Sequence, residues 1–515
     1  MVSDVLSYVS GLDAVEILAV FLLPVVLYLL AAPKRKQLPL VNGRSPFEFS
    51  DAGSKQRFLS GAPQLIKSGL QKASVFRLIS DNGEKTVLSR KYAKEIRSHP
   101  ALDFNGSIAE EFHANVRGFE PFKQGTQSDE LVQTAVRTKL TQSLGGITEP
   151  LSAETSLALE KEWTNNEGWF DNVSCIDWHD LALKPSILKI VARLSSRVFL
   201  GDQICRNPDW LRITVSYTVD SFLAAMDLRQ WPRLVRSLVA RFLPSCRKIR
   251  QELDEARSII RPVLEERRQA KEAAGDVSAR FNDAMQWMED VAKGRPYDAA
   301  VAQMSFSLAA IHTTSDMLTQ VLFDLCGKGD IIQALREELT AVIQRDGWKK
   351  TTLYQLKLMD SVVKESQRLK PIGIASMRRL VTKDIQLSDG TLLQKGTTIM
   401  VSGDGTRDPS VYPNPETFDA YRFLKLRETP GHETSAQLVS PSPEHLGFGY
   451  GNHACPGRFF AANEVKIALA HILLKYDFKL APGAAKPSIQ QSGISWNANA
   501  TAKISIRRRQ EEISL

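Results

Sequence analysis

The chain has 515 residues, of which 43% are hydrophobic and 24% charged, so it is neither a disordered tail nor a solvating polyampholyte, and most of it should fold. Five cysteines, odd in number and irregularly spaced, give no disulfide framework and point to a reducing compartment. The formal net charge of +8 is spread along the sequence, and basic and aromatic residues interleave in no nucleic-acid-reading motif.

The first departure from this average comes between Ala14 and Ala32, where Glu16 is the lone charge in an apolar run. That run matches the roughly 20 residues needed to cross a bilayer. Asp4 and Asp13 precede it, and Lys34, Arg35 and Lys36 follow, which is the reverse of a cleaved signal peptide. The positive-inside rule then leaves the rest on the cytoplasmic side. The expectation is a membrane anchor over residues 1–32 and a folded body over 33–515, with no repeat or low-complexity linker dividing that body. In this orientation the glycosylation sequons at Asn105, Asn172 and Asn499 stay silent.

After a connector punctuated by Pro39 and Gly43, Val75 to Ile79 and Thr86 to Leu88 read as a hairpin. Apolar recurrence at helical spacing predicts helices over Ile187 to Leu200, Pro232 to Phe242 and Arg247 to Arg268, and on both sides of Gly327 to Gly329. Small strands are expected between Ile385 and Val401. The fold class is therefore mainly α with small β-sheets.

Within the helix predicted from Ala299 to Leu325 lies Ala309-Ala310-Ile311-His312-Thr313-Thr314-Ser315, a run of small and hydroxyl residues. One reading is tight helix packing, with hydroxyls bonded back to preceding carbonyls. The other is a surface where Ala310 admits a flat ligand and the Thr313 hydroxyl offers a hydrogen bond. His312 either relays protons near neutral pH or faces a polar layer. Further on, Glu365 and Arg368 stand three apart on one helix face among apolar neighbours. A buried pair of that kind needs further hydrogen bonds, and Arg422 is a plausible third member. The three read as scaffolding for the loop that follows.

That loop is Phe448-Gly-Tyr-Gly451-Asn-His453-Ala-Cys455-Pro-Gly457, with a helix expected from Gly457 to about Lys475 and Pro456 in its first turn. Phe448 can shield the sulfur, and Gly451 and Gly457 allow a tight backbone whose amides point at it. A thiolate is favoured near a helix N-terminus. Cys455 is therefore read as the thiolate ligand of a haem iron. Cys175, Cys205, Cys246 and Cys326 read as buried structural thiols.

Together the cysteine loop, the His312-Thr313 helix, Glu365-x-x-Arg368 and the Phe418-Asp-x-x-Arg422 segment resemble the cytochrome P-450 haem-thiolate monooxygenases. The resemblance implies that fold behind an N-terminal transmembrane helix, haem b ligated by Cys455, and O2 as co-substrate. Thr313 takes the place of the hydroxyl that helps protonate dioxygen, Glu365, Arg368 and Arg422 that of a structural triad, and Arg379 or its neighbour Arg378 that of a propionate ligand. Two positions depart from the family pattern: His453 stands where an arginine is usual, and His312 where an acid is usual. Arg137 is a further candidate for a propionate.

More narrowly, Ala192 to Gly201, Cys205 to Trp210 and Met377 to Asp384 resemble a fungal branch that includes ent-kaurene oxidase. This implies an apolar polycyclic, terpenoid-like intermediate of secondary metabolism as substrate, lined by the region from Phe104 to Phe122 and by Ile374 to Met377. It also implies a monomeric, single-pass enzyme of the endoplasmic reticulum membrane. Since the chain lacks a Gly-rich dinucleotide fingerprint, electrons are expected from an NADPH-dependent reductase. Two other classes stay open, a haem-thiolate isomerase or dehydratase and a non-enzymatic haem sensor; retention of Thr313 speaks against the first.

Overall fold

The hairpin supplies two neighbouring inner strands of the largest sheet in the computed structural model, which describes residues 38–164, 178–274, 281–513 and 515. The expected anchor, the Lys34-Arg35-Lys36 run, Asn172 and Cys175 lie outside these residues. Among the described residues no helix is long and apolar enough to cross a membrane.

The strands are β1 (Leu40–Val41), β2 (Val75–Ser80), β3 (Gly83–Leu88), β4 (Leu102–Asp103), β5 (His179–Ala182), β6 (Ala375–Val381), β7 (Ile385–Gln386), β8 (Leu392–Leu393), β9 (Thr398–Ser402), β10 (Tyr476–Leu480), β11 (Gln490–Ser492), β12 (Ser495–Asn497) and β13 (Lys503–Arg508). Six form one sheet in the order β1-β2-β3-β9-β6-β4, three form β10-β13-β5, and the rest pair as β7-β8 and β11-β12. β6 and β9 are antiparallel, with a register shift between Ser376 and Arg379.

Helices of eight or more residues are α1 (Ala52–Lys72), α2 (Phe104–Glu111), α3 (Thr141–Leu159), α4 (Leu183–Ile204), α5 (Pro208–Arg229), α6 (Pro244–Ala274), α7 (Ala284–Ala292), α8 (Ala299–Leu325), α9 (Gly329–Asp346), α10 (Lys357–Leu369) and α11 (Arg458–Lys475). α8 is the central one, packed against α4, α5, α6, α10 and α11. Its start is fixed by the Asp298 carboxylate, which accepts the Val301 amide at 3.1 Å, and its end by the turn at Gly327. From Gln320 to Leu325 every residue is buried, because helices surround this end of α8, and its one charge, Asp324, is met by Lys370 at 2.7 Å and Ser366 at 2.9 Å.

The structure redraws two local expectations. Between Pro232 and Phe242 it forms only a 3-10 turn, Arg233–Val235, and one helical turn, Arg236–Val239. The apolar spacing there has nothing to bury against, since Leu234 is 98% and Phe242 64% exposed. Pro456 stands outside α11, whose N-cap is Gly457 and whose first residue is Arg458. The densest basic run, Arg507 to Arg509, is neutralised within the body: Arg507 pairs with Asp477 at 2.9 Å, Arg508 with Glu511 at 2.5 Å and Arg509 with Glu512 at 2.6 Å.

Candidate haem-thiolate site

The backbone folds the cysteine loop on itself. The Cys455 amide donates to the Phe448 carbonyl at 2.8 Å, and the path between them needs left-handed glycines, Gly449 at φ 70° and Gly451 at φ 78°. Gly451 is doubly constrained, because a Cβ there would lie 2.5 Å from the Arg97 carbonyl oxygen. Gly457 has an ordinary φ of −86°, and a Cβ would meet only Val136 at 3.8 Å, so its contribution is its amide rather than its freedom. That amide and the Arg458 amide both aim at the Cys455 sulfur.

Burial pushes the Cys455 thiol up, opposed by those two amides and by the Arg458 guanidinium. Arg458 is held there by the carbonyls of Cys455 at 2.9 Å and Val439 at 3.1 Å. A half-buried sulfur with donors turned on it, but short of enough positive charge to ionise alone, fits the thiolate ligand of a metal. The other described cysteines differ in what faces the sulfur: Cys205 and Cys246 are buried, Cys326 is half-buried like Cys455, and burial pushes the thiols of Cys205 and Cys326 to about 11 and about 12, with no backbone amide opposing it.

Basic groups gather beside the loop. The irregularity in β6 puts Met377 at φ 52° and separates two neighbouring arginines: Arg378 turns to Glu111 on α2 at 2.6 Å, whereas Arg379 is buried. Among the described residues Arg379 forms no ion pair; it donates to the Arg378 carbonyl at 2.7 Å and lies 5.3 Å from the Phe104 ring centre. Burial pulls its pKa down to about 10 in spite of Asp103. Phe104 stacks in turn on His453 at 5.3 Å, and His453 is held below the ordinary histidine range by burial and by Arg379, with Arg137 adding to the effect. Arg379, His453 and Arg137 therefore share one neighbourhood, although Arg137 also pairs with Glu130 at 2.9 Å. A buried, under-neutralised cation such as Arg379, with the His453 ring and the more exposed Arg137 beside it, fits the propionate carboxylates of a porphyrin.

On α8, Ala309 and Thr313 are exposed at mid-helix and Ala310 half-buried, while Ile311, Thr314 and Ser315 are buried. The Thr313 hydroxyl donates back to the carbonyls of Ala309 at 2.9 Å and Ala310 at 3.2 Å. Its oxygen keeps lone pairs for an incoming donor, so both sequence readings of this stretch describe the same residue. His312 turns elsewhere: Nε2 lies 2.9 Å from the Val215 carbonyl on α5.

Below the site, Glu365 and Arg368 are fully buried and joined by two hydrogen bonds of 2.8 Å. Arg422 Nε reaches both Glu365 oxygens at 3.1 Å. The remaining donors meet carbonyls: Arg368 binds Thr406 at 2.6 Å and Pro415 at 2.7 Å, and Arg422 binds Pro413 at 2.7 Å. Every charge in the triad is thus compensated, and one carboxylate ties α10 to the segment from Thr406 to Arg422.

Sequence reasoning passed over Gly449, Arg458 and Glu464. Glu464 on α11 is fully buried, accepts the Ser195 hydroxyl of α4 at 2.7 Å and has Thr314 of α8 as a second hydroxyl neighbour. With no cation opposing burial, its carboxyl is pushed up to about 8 and is neutral at pH 7. Its position nine residues after Cys455 was the available signal.

Fold and site together define a haem-thiolate protein: a central helix with an exposed threonine at its middle, and a cysteine loop ahead of a second helix packed on it. A family model described as Cytochrome P450 matches residues 179–504. The chain is 51% identical over 523 residues to cytochrome P450 monooxygenase adrA of Penicillium rubens, covering 100% of both chains. It is 48% identical over 471 residues to cytochrome P450 monooxygenase trt6 of Aspergillus terreus, covering 91% of this chain and 94% of that one. Among solved structures it is similar to retinoic acid bound cyanobacterial CYP120A1, with a TM-score of 0.67 and 16% identity over 92% of this chain and 99% of that one, a likeness of fold alone.

The chain belongs to the cytochrome P450 family and is a monooxygenase of that family. Membership brings with it haem, O2 and a need for electrons from a donor.

Proposed function

We propose that this enzyme inserts one oxygen atom of O2 into an apolar polycyclic, terpenoid-like intermediate of fungal secondary metabolism, with electrons from an NADPH-dependent reductase. The substrate class is supported by the three segments that resemble the ent-kaurene oxidase branch and by the aromatic character of the region after Phe104. There Phe112 stacks on Phe122 at 4.5 Å and meets Phe222 of α5 edge-on at 5.0 Å. Such a wall offers area and shape but little charge, which suits a hydrocarbon skeleton.

The roles follow from what each side chain can do. Cys455 would supply the sulfur that ligates the haem iron, the amides of Gly457 and Arg458 would hold its negative charge, and Phe448 closes the loop through its carbonyl. Arg379 and His453, with Arg137 beside them, take the propionates, while Arg378 stays committed to Glu111. Haem bound in this way supplies the activation of O2 and the transfer of oxygen to a C–H bond. Thr313 would offer its hydroxyl oxygen to bound dioxygen, and the small side chain of Ala310 would leave room for a flat ligand. Glu365, Arg368 and Arg422 keep the loop in place.

The observation that carries this reading is the half-buried Cys455 sulfur with two backbone amides turned on it. Its test is spectroscopic and catalytic. The ferrous carbonyl form of the purified protein should absorb at about 450 nm, as thiolate-ligated haem does, and supplying reductase, NADPH and a panel of cyclic terpenoids should give hydroxylated products. Rearrangement of peroxides without NADPH would move the enzyme to the isomerase or dehydratase class. Loading with haem but no turnover would make it a sensor.

Residues 1–32 are proposed to anchor the body, 33–515, to the cytoplasmic face of the endoplasmic reticulum membrane, on the strength of the apolar run and its basic flank. Deleting residues 1–32 should release the protein from microsomes with its spectrum intact. A truncated protein that still sediments with membranes would overturn the assignment of anchoring to that segment.

A further inference from the structure

Three consecutive residues of α5 are each held by a different part of the fold. The Val215 carbonyl lies 2.9 Å from His312 Nε2 on α8. The Ser216 hydroxyl donates to Glu252 Oε1 on α6 at 2.6 Å, and the Tyr217 phenol donates to the Gly118 carbonyl at 2.7 Å. A helix pinned at three successive positions has a fixed point there.

The chemistry of the first contact is constrained. A carbonyl oxygen only accepts, so His312 Nε2 carries the proton, and a neutral ring then has only a lone pair on Nδ1. The neutral ring is favoured, because burial above all, with Lys184 adding to it, holds it below the ordinary histidine range against the pull of the Val215 contact and of Asp316. Lys184 and Asp316 are occupied with each other at 2.9 Å. The imidazole therefore gives its one proton to α5 and has none to pass to a neighbour.

Beyond the fixed point, α5 runs over the aromatic region. Phe222 stands edge-on to Phe112 at 5.0 Å and to Phe122 at 6.3 Å, and Arg229 ties the helix end to Asp81 at 2.6 Å and to the Glu111 carbonyl at 2.9 Å. The helix that covers the proposed substrate wall is thus tied to α8 one residue before Thr313.

We propose that His312 is a positioning residue: it pins α5 to α8 beside Thr313, fixing the roof of the substrate space, and does not deliver protons to dioxygen. This deepens the oxygenase reading and rests on it for the meaning of that space, but the contact itself does not depend on turnover.

The test uses the haem-loaded full chain with His312→Ala and His312→Gln, and reads backbone hydrogen exchange in α5 together with peroxide released per NADPH when reductase is supplied. Loss of a single pinning hydrogen bond in His312→Ala should speed exchange around Val215 to Phe222 by roughly tenfold. His312→Gln, which retains a side-chain N–H donor, should bring it back toward wild type. The pH profile of peroxide release should keep its shape in both variants.

Unchanged exchange in His312→Ala overturns the proposal. So does a rise in peroxide in His312→Gln with an altered pH profile, since that variant keeps a donor but cannot relay a proton; this arm stands even if the alanine variant fails to fold. Absence of a thiolate spectrum in the wild type would instead sink the oxygenase reading while leaving the exchange result intact.

Discussion

The amide of Cys455 and the carbonyl of Phe448, seven positions apart in the sequence, are joined by a 2.8 Å hydrogen bond that closes the cysteine loop. The bond fixes where the sulfur sits, and the two left-handed glycines between its ends make it possible.

The loop's glycines should therefore respond unequally to a single methyl group. Gly451→Ala places a Cβ 2.5 Å from the Arg97 carbonyl in a backbone at φ 78°, so it should lose most bound haem and the absorption of the ferrous carbonyl form at about 450 nm. Gly457→Ala meets only Val136 at 3.8 Å and keeps its amide, so haem content should stay near wild type. Cys455→Ala should abolish the band entirely. Haem titration and the carbonyl difference spectrum read all three.

The Glu365 carboxylate serves two guanidinium groups in a fully buried place, so removing it strands both. Glu365→Ala should cost about 3–5 kcal/mol of stability, the usual penalty for leaving buried charge uncompensated. Arg422→Ala should cost less, because Arg422 is 11% accessible and Glu365 keeps Arg368. Denaturant midpoints, with haem release followed in parallel, rank the two.

The helical body and the individual site residues were legible because they rest on local rules. The helix from Ala299 to Leu325 was read with its observed bounds, since a long apolar run needs no partner to be recognised. Pro232 to Phe242 has the same periodicity, but its apolar face is exposed, and burial is a tertiary property that no spacing encodes. Likewise the sequence offered Arg378 and Arg379 as equals. Only the irregularity in β6, with Met377 at φ 52°, turns one to Glu111 and buries the other. Gly457 was read for a tight backbone and for an amide turned on the sulfur; its φ of −86° is ordinary, and its amide is the group aimed at sulfur.

A pH effect on stability is expected from Glu252. Burial and the neighbouring Asp220 carboxylate push its carboxyl from 4.5 up to about 7, with Ser216 and Lys248 acting the other way. The folded protein therefore keeps a proton that the unfolded chain has released between those two values, and stability falls as pH rises through that window before levelling off. Allowing for solvent screening, the change should be on the order of 1–2 kcal/mol. Glu252→Gln should flatten the pH dependence of Tm across the window, and an unchanged slope would remove Glu252 as its source.

Thr313 is the remaining position where structure and role can be separated. Its hydroxyl proton is engaged with the Ala309 and Ala310 carbonyls, which orients the oxygen and leaves its lone pairs facing the exposed side of the helix. Thr313→Ala removes both the back-bond and the oriented oxygen, and α8 stays intact because alanine is a better helix former than threonine. Haem content and Tm should then change little, while peroxide released per NADPH rises several-fold. Thr313→Ser, which can make the same back-bonds, should restore most of the coupling, whereas Thr313→Val, close in shape but without a hydroxyl, should not. Coupling unchanged in both the alanine and valine variants would strip Thr313 of its part in handling dioxygen and leave its hydroxyl as helix packing alone.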